Sequence, residues 1–347
     1  MTRVKEVGGY CRTEVPAGAI RLDLNEAPRE AAASFRRRVL ELIDEAEWRR
    51  YGDMDGWTAR QAAARLYRWR PAGTLVGNGS NELLAAALRA LVGGGGTLAA
   101  LAPSFAMVPV LAERIGFRLV TVGLEPPAFA VDSERLLATA RGADAVLLCS
   151  PNNPTGGEVA VELLQAVARL GKPVIWDAAY VEFSQTDPSQ LLAGFEQVVV
   201  LRTLSKAWGL AGVRAGACLA HEPLVAAIGK EVLPFATGVA VTAAFQAAAE
   251  LASLQDGLVA EVVRERERLA GALAAIDGFE VVASQANFFL ARRRGLRGSQ
   301  LAAGFLAGGV AVRDLEELDS DGYVRITVGS REENDALVRV AAEVAHD

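Results

Sequence analysis

Between residues 74 and 220 the chain alternates short apolar runs with stretches of helical period. The apolar, β-branched runs fall near 74–77, 97–101, 118–122, 144–149, 173–177, 197–201 and 214–219. Amphipathic stretches near 81–92, 105–115, 132–140 and 158–169 separate most of them. Apolar runs bounded by polar turns read as strands buried on both faces, and their alternation with helices predicts a mostly parallel sheet covered on both sides. Seven runs give seven strands of an α/β fold. Helices are expected over 31–48 and 58–69, and residues 222–276 read as largely helical. In the last part of that region an apolar stripe runs through 259, 262, 263, 269, 270, 273 and 276, and the charges from Glu261 to Arg268 are expected to face water. Residues 279–347 read β-β-α-β-β-α, with strands at 279–282, 287–291, 310–312 and 323–328. Ser330 and Glu333 have capping-box spacing at the start of the last helix. This tail predicts a smaller α+β domain. Residues 1–30 show no regular period.

Composition narrows the classes of function. The chain has 347 residues, 51% of them hydrophobic, with a net charge of −6. A core of that size needs no staples, and the acidic balance argues against a nucleic-acid or membrane-surface partner. Three cysteines, Cys11, Cys149 and Cys218, share no ligand spacing and suit a reducing, cytoplasmic setting. The first ten residues lack the apolar segment of a signal peptide, and no run is apolar enough for a membrane span. There are only two histidines, His221 and His346, neither near a set of acidic or thiol ligands. Zinc chemistry and a Ser-His-Asp triad are thereby disfavoured. Gly93 to Gly96 lacks the strand-turn-helix context of a dinucleotide fingerprint.

The polar clusters sit where the predicted strands end, at the edge where parallel sheets take ligands. Of four lysines, Lys5, Lys172, Lys206 and Lys230, one follows a buried strand directly. Lys206 has Thr203 and Ser205 before it and Arg214 eight residues on. That setting suits an amine that must shed its proton to form a Schiff base with a phosphorylated cofactor, with Thr203, Ser205 and Arg214 holding the phosphate. A plain surface lysine after a core strand is the alternative. Ser80 and Asn81 open a helix whose free N–H groups could seat a phosphate, or Ser80 could be an ordinary N-cap. Asn153 lies in a loop stiffened by two prolines and a glycine. Asp177 ends an apolar strand, where a carboxylate wants a cation such as a protonated pyridine nitrogen, with Tyr180 three residues on. Arg325 within a strand and Arg313 at the end of another suit bidentate binding of a carboxylate or phosphate, or a structural pair with Asp314 or Glu332.

Asn153, Asp177, Tyr180, Lys206 and Arg214, in this order and spacing, resemble the fold-type I pyridoxal-phosphate aminotransferases, and among them the histidinol-phosphate aminotransferase family. The resemblance spans about residues 24–342. Its matching stretches are Leu24-Asn-Glu, Gly79-Ser-Asn-Glu, CSPNNPTG at 149–156, LRTLSKAWGLAGVRAG at 201–216, Asn287-Phe-Phe-Leu and RITVGSREEN at 325–334. It implies pyridoxal 5'-phosphate bound through Lys206, which also shuttles the proton. Asp177 would meet the pyridinium nitrogen, and Tyr180 and Asn153 the ring oxygen. Ser80, Asn81, Thr203, Ser205 and Arg214 would seat the phosphate, and Phe105 would stack on the ring. Tyr51 would reach that phosphate from the partner subunit of a homodimer. Arg325, Arg313, Tyr10 and Asn25 would bind substrate. The implied reaction exchanges an amino group between glutamate/2-oxoglutarate and histidinol phosphate/imidazole-acetol phosphate. An aromatic amino-acid aminotransferase, a threonine-phosphate decarboxylase and a non-catalytic cofactor-binding regulator are the rival readings. The chain departs from the family pattern at Gly52, where proline is usual, at Ala178, where glutamate is usual, and at Phe105, often tyrosine. The implied division is an arm over 1–30, a small domain over 31–50 and 250–347, and a large cofactor-binding domain over 51–249.

Overall fold

The computed structural model describes residues 15–184, 191, 194–318 and 321–344. All seven expected strands form one sheet: β2 (Thr74–Asn78), β3 (Thr97–Ala102), β4 (Arg118–Gly123), β5 (Ala145–Cys149), β6 (Val174–Asp177), β7 (Val198–Thr203) and β8 (Ala215–Leu219). Their order across the sheet is β2-β8-β7-β6-β5-β3-β4. The five strands from β7 to β4 run parallel, and β8 runs antiparallel to both its neighbours. Every residue of β5 and β6 is buried, which explains the apolar run that fills both up to Asp177 at the end of β6. Trp176 is wholly buried, and its indole N–H donates to the Ser150 carbonyl at 2.9 Å.

Helices cover both faces. Among the described residues they are α1 (Ala33–Asp44), α2 (Trp57–Leu66), α3 (Ser80–Leu91), α4 (Met107–Ile115), α5 (Ser133–Arg141), α6 (Val161–Ala168), α7 (Glu222–Gly229), α8 (Val239–Glu250), α9 (Leu254–Ala274), α10 (Gly298–Ala307) and α11 (Arg331–Val344). None of them is long and apolar enough to cross a membrane. The anticipated capping box opens α11: the Ser330 N–H donates to Glu333 at 2.7 Å and the Glu333 N–H to the Ser330 hydroxyl at 3.2 Å.

A second, five-stranded sheet has the order β1-β11-β12-β10-β9. Its strands are β1 (Ile20–Leu22), β9 (Phe279–Val281), β10 (Phe288–Arg293), β11 (Val310–Asp314) and β12 (Tyr323–Thr327). The last four occupy the expected positions. β1 falls in the segment read as irregular: it pairs parallel with β11, Leu22 opposite Val312, so part of the arm belongs to this sheet. α1, expected with the small domain, instead packs on the large-sheet side, its Phe35 ring 5.4 Å from that of Trp208.

The stripe of α9 also differs from expectation. Its buried residues are Leu258, Val262, Arg266, Leu269 and Leu273, which share one face at helical spacing. Arg266 is therefore inside rather than in water. One of its guanidinium N–H groups donates to the Ala286 carbonyl at 3.0 Å, tying α9 to the start of β10.

Candidate active site

The carboxyl ends of β5, β6 and β7 form one rim, because register sets Cys149 opposite Asp177 and Asp177 opposite Leu201. Above this rim lies a cavity of about 430 Å³. It brings together residues from both sheets and from the segment that follows β1. Lys206, Thr203, Ser205 and Arg214 line it from the β7–β8 connection, and Asp177 and Tyr180 from the end of β6. Asn153, Ser80, Asn81 and Phe105 come from the other expected loops, Arg325 from β12 and Asn25 from the segment after β1.

Local folding explains each placement. The loop after β5 is locked by Asn152, not Asn153. The buried Asn152 amide accepts from the Ser104 hydroxyl at 2.8 Å and donates to the Pro103 carbonyl at 3.0 Å and the Thr155 hydroxyl at 2.9 Å. Asn153 is left facing the cavity, where its Oδ1 accepts from the Arg325 guanidinium at 2.5 Å. With its oxygen so engaged, the Asn153 amide presents its N–H groups as the free end.

Gly79 precedes α3 at φ +86°, and no side chain caps the helix. Ser80 is thus the first helical residue rather than the cap, and the first-turn N–H groups carry the positive end of the helix dipole. A Cβ on Gly79 would strike the Arg214 guanidinium, and one on Gly216 would strike the Gly79–Ser80 peptide. Only glycine at both positions lets β8 and Arg214 lie so close to the helix start. Arg214 itself takes a left-handed conformation, φ +63°, and donates to the Ala211 carbonyl at 2.9 Å. Thr203 and Ser205 share a hydroxyl–hydroxyl bond of 2.9 Å beside it.

The charged groups are shifted towards neutrality. Burial pulls the Lys206 ammonium down to about 8, with the nearby Arg325 adding to the effect and Glu26 opposing it. Its Nζ donates to the Leu24 carbonyl at 3.0 Å. Burial pushes the Asp177 carboxyl up to about 6, partly offset by the Ala179 N–H, which it accepts at 3.1 Å, and by Lys206. Burial also raises the Tyr180 phenol and the Cys149 thiol, so both stay protonated at neutral pH.

Two expected site residues lie elsewhere, and a third falls outside the described residues. Tyr51 is 85% exposed, its ring 5.0 Å from that of Phe235, and does not reach this cavity within its own chain. Arg313 stands opposite Arg325 in the β11–β12 register but lines a separate small depression with Asp23, Ser299 and Asp314. Tyr10 is outside the described residues. Conversely, Leu24, Met107 and Cys149 line the cavity without having been singled out. Thr327 and Asn287 bond Asn25 beneath it. Thr327 had a readable signal, since it lies two residues beyond Arg325 and a strand returns to the same face at that spacing.

An aminotransferase class I and II family model matches residues 17–340. The chain belongs to the class I and II aminotransferases. As such it is an enzyme of amino-group transfer. This aminotransferase is 35% identical over 94% of its length to the histidinol-phosphate aminotransferase of Thermococcus gammatolerans, covering 92% of that protein. It is also 35% identical to the one of Roseiflexus castenholzii, over 94% of this chain and 90% of that one. Among solved structures, the histidinol-phosphate aminotransferase of Clostridium acetobutylicum superposes with a TM-score of 0.87 at 21% identity, covering 94% of this chain and 99% of that one. The enzyme of that name from Sinorhizobium meliloti, solved with pyridoxal-5'-phosphate, gives 0.85 at 26% identity, covering 94% and 91%.

Proposed function

We propose that this aminotransferase carries an amino group between glutamate and imidazole-acetol phosphate, giving 2-oxoglutarate and histidinol phosphate in histidine biosynthesis, with pyridoxal 5'-phosphate as cofactor. The observation that carries the reading is a single cavity holding a neutral-leaning lysine, a buried carboxylate and an uncapped helix start beside an arginine. The substrate is taken from the full-length similarity to enzymes of that name.

The cofactor fits the residues present. Its phosphate suits the cradle that Gly79 and Gly216 leave open between Arg214, Ser205, Thr203, Ser80 and Asn81. Asp177 is a buried carboxylate whose ionised form a pyridinium cation would favour, which keeps the ring protonated. Asn153 and Tyr180 would donate to the ring oxygen, and Phe105 would cover the ring face. When bound, pyridoxal 5'-phosphate supplies an electron sink for the pair left when the substrate's Cα–H bond breaks. Lys206 would hold the cofactor through its amine and would move the proton at the substrate's Cα. Arg325 would clamp the glutamate carboxylate or the substrate phosphate, with Arg313 behind it and Tyr10 closing over.

The site is completed by a second copy of the chain in this reading, a cytoplasmic homodimer in which Tyr51 crosses to the partner's cofactor phosphate. Support comes from exposed apolar residues: Met54 and Leu233 line a depression of about 570 Å³, and Tyr51 lies against Phe235, whose N–H donates to the Met54 carbonyl. Residues 51–249 form the cofactor-binding domain, and 250–347 with β1 the small one.

The test is glutamate-dependent turnover with histidinol phosphate against phenylalanine, measured in the exchange direction. A preference for histidinol phosphate of tenfold or more is expected; equal or greater turnover of phenylalanine would assign the aromatic reaction instead. The Lys206→Ala protein should lose the bound cofactor's visible absorbance, and retained absorbance with turnover would defeat the assignment.

A further inference from the structure

Three consecutive residues, Asp23, Leu24 and Asn25, give their carbonyls to three different side chains of the site. Asp23 accepts from Arg325 at 2.7 Å, Leu24 from Lys206 at 3.0 Å and Asn25 from Asn287 at 3.0 Å. The side chain of Asn25 is used as fully as its backbone. Its Nδ2 donates to the Tyr180 hydroxyl at 3.0 Å, and its Oδ1 accepts from the Thr327 hydroxyl at 3.2 Å. The Thr327 oxygen accepts in turn from the Asn25 backbone N–H at 2.9 Å. Asn25 holds φ at +54°, a left-handed conformation that asparagine tolerates better than most residues. Asn25, Asn287, Thr327 and Tyr180 are each 5% exposed or less.

The hydrogen-bond inventory then fixes a direction. A phenol has one proton to give and can accept. Asn25 occupies an acceptor position of the Tyr180 oxygen, so the phenolic proton is left for a different partner. The ring cannot swing away, because Phe288 packs edge-on against it at 5.0 Å. Thr327 sets which end of the Asn25 amide faces Tyr180. Asn287 keeps its Oδ1 buried with no partner among the described residues. An orphaned acceptor costs stability. Its retention fits a residue kept for the bond its amide makes to Asn25.

We propose that Asn25, braced by Thr327 and Asn287, is a positioning residue that holds the Tyr180 phenol as a hydrogen-bond donor into the cavity, aimed at the ring oxygen of the cofactor. This rests on the reading that pyridoxal phosphate fills the cavity. A donor at the ring oxygen draws off electron density that would otherwise hold the proton on the neighbouring nitrogen. The visible band of the bound cofactor therefore changes form at a lower pH with the donor in place than without it.

The experiment is a spectrophotometric pH titration of the holoenzyme and its variants. Tyr180→Phe should raise the midpoint by about one pH unit, the scale of one hydrogen bond to a charged form. Asn25→Ala and Thr327→Val should raise it in the same direction, Thr327→Ser should restore the parent value, and Asn25→Ala added to Tyr180→Phe should shift it no further. Parent-like titration of Asn25→Ala and Thr327→Val overturns the proposal, as does a shift that adds in full to that of Tyr180→Phe. If Asn25→Ala does not fold, Thr327→Val preserves the side chain's shape and decides alone. Absence of any visible band in the parent protein supplied with pyridoxal phosphate would instead bring down the cofactor reading, and the proposal with it.

Discussion

Lys206 and Asp177 are ionisable side chains that the fold pushes towards their neutral forms, and the stability of the ligand-free protein should record it. Lys206 sits near 8 when folded, below its unfolded value of about 10.4. Between those values the unfolded chain binds more protons, so stability rises with pH across that window and the cost is full below it. Asp177 sits near 6, above its unfolded value of about 3.9. There the folded protein binds more protons, so stability falls as pH climbs from about 4 to 6 and the cost is full above. At pH 7 both costs are present. Asp177→Asn and Lys206→Met should each raise the melting temperature of the cofactor-free protein by about 2 °C or more while abolishing turnover. The Asp177→Asn advantage should vanish near pH 4 and that of Lys206→Met near pH 10. Thermal melts across pH check both, and a pH-independent advantage would mean that packing, not charge, is responsible. The same shift predicts that capture of pyridoxal phosphate by the apoprotein accelerates up to about pH 8 and then levels, as the free amine becomes the dominant form; stopped-flow absorbance reads the rate.

Elements with a strong period were legible, and those without one were not. β5, β6 and β7 announce themselves because each opens on a run of apolar residues buried on both faces, with its polar residues only at the carboxyl end. β1 was hidden because its three residues include an exposed arginine and its partner β11 lies almost three hundred residues away. Arg266 was misplaced because charge was read before helical phase: it falls on the buried face of α9, eight residues after Leu258. The close meeting of α3 with β8 was also silent in the sequence, since a glycine gives no sign of which backbone it approaches. Gly216→Ala should therefore destabilise by about 1–3 kcal/mol and weaken pyridoxal phosphate binding, because the intruding methyl must displace the peptide at the helix start. Denaturant unfolding and cofactor titration measure the two effects. A second element-scale device joins β7 to the turn after β6. Arg202 donates to Glu182 at 2.9 Å, with the two side chains 12% and 8% exposed, and its guanidinium lies 4.6 Å from the Tyr67 ring. Glu182→Leu removes the carboxylate partner of a largely buried guanidinium and should cost about 3–5 kcal/mol, whereas Arg202→Met together with Glu182→Leu should recover most of it. Equal losses in the single and double variants would show that the pair itself supplies the stability.

At the scale of the whole molecule, the cavity lies where two cores meet. Tyr180, Phe183 and Ala207, which the chain delivers at the large sheet's rim, pack into the core of the small sheet with Phe288 and Ile326. The site could be read from the sequence as four polar clusters at strand ends, but not as a junction, because the bonds that join it run from Asn25 to Thr327 and from Asn153 to Arg325. The same logic extends past the single chain. Tyr51 and Leu233 are 85% and 78% exposed, and Phe235 lies against Tyr51, a cluster of large apolar groups that water solvates poorly. A second copy covering it is the arrangement in which the proposed role of Tyr51 at the partner's cofactor phosphate can be met. Leu233→Asp places a charge at the centre of that surface while leaving the monomer core untouched. It should convert a dimer into monomers by light scattering and lower pyridoxal phosphate affinity at least tenfold, since a buried unpaired charge at an interface costs several kcal/mol. If Tyr51 is shared as proposed, Tyr51→Phe should keep the dimer mass and lose part of the affinity, because it removes only the hydroxyl assigned to the phosphate. A parent protein that is monomeric and fully active would refute the shared site, and a dimeric Tyr51→Phe protein with unchanged affinity would remove Tyr51 from it.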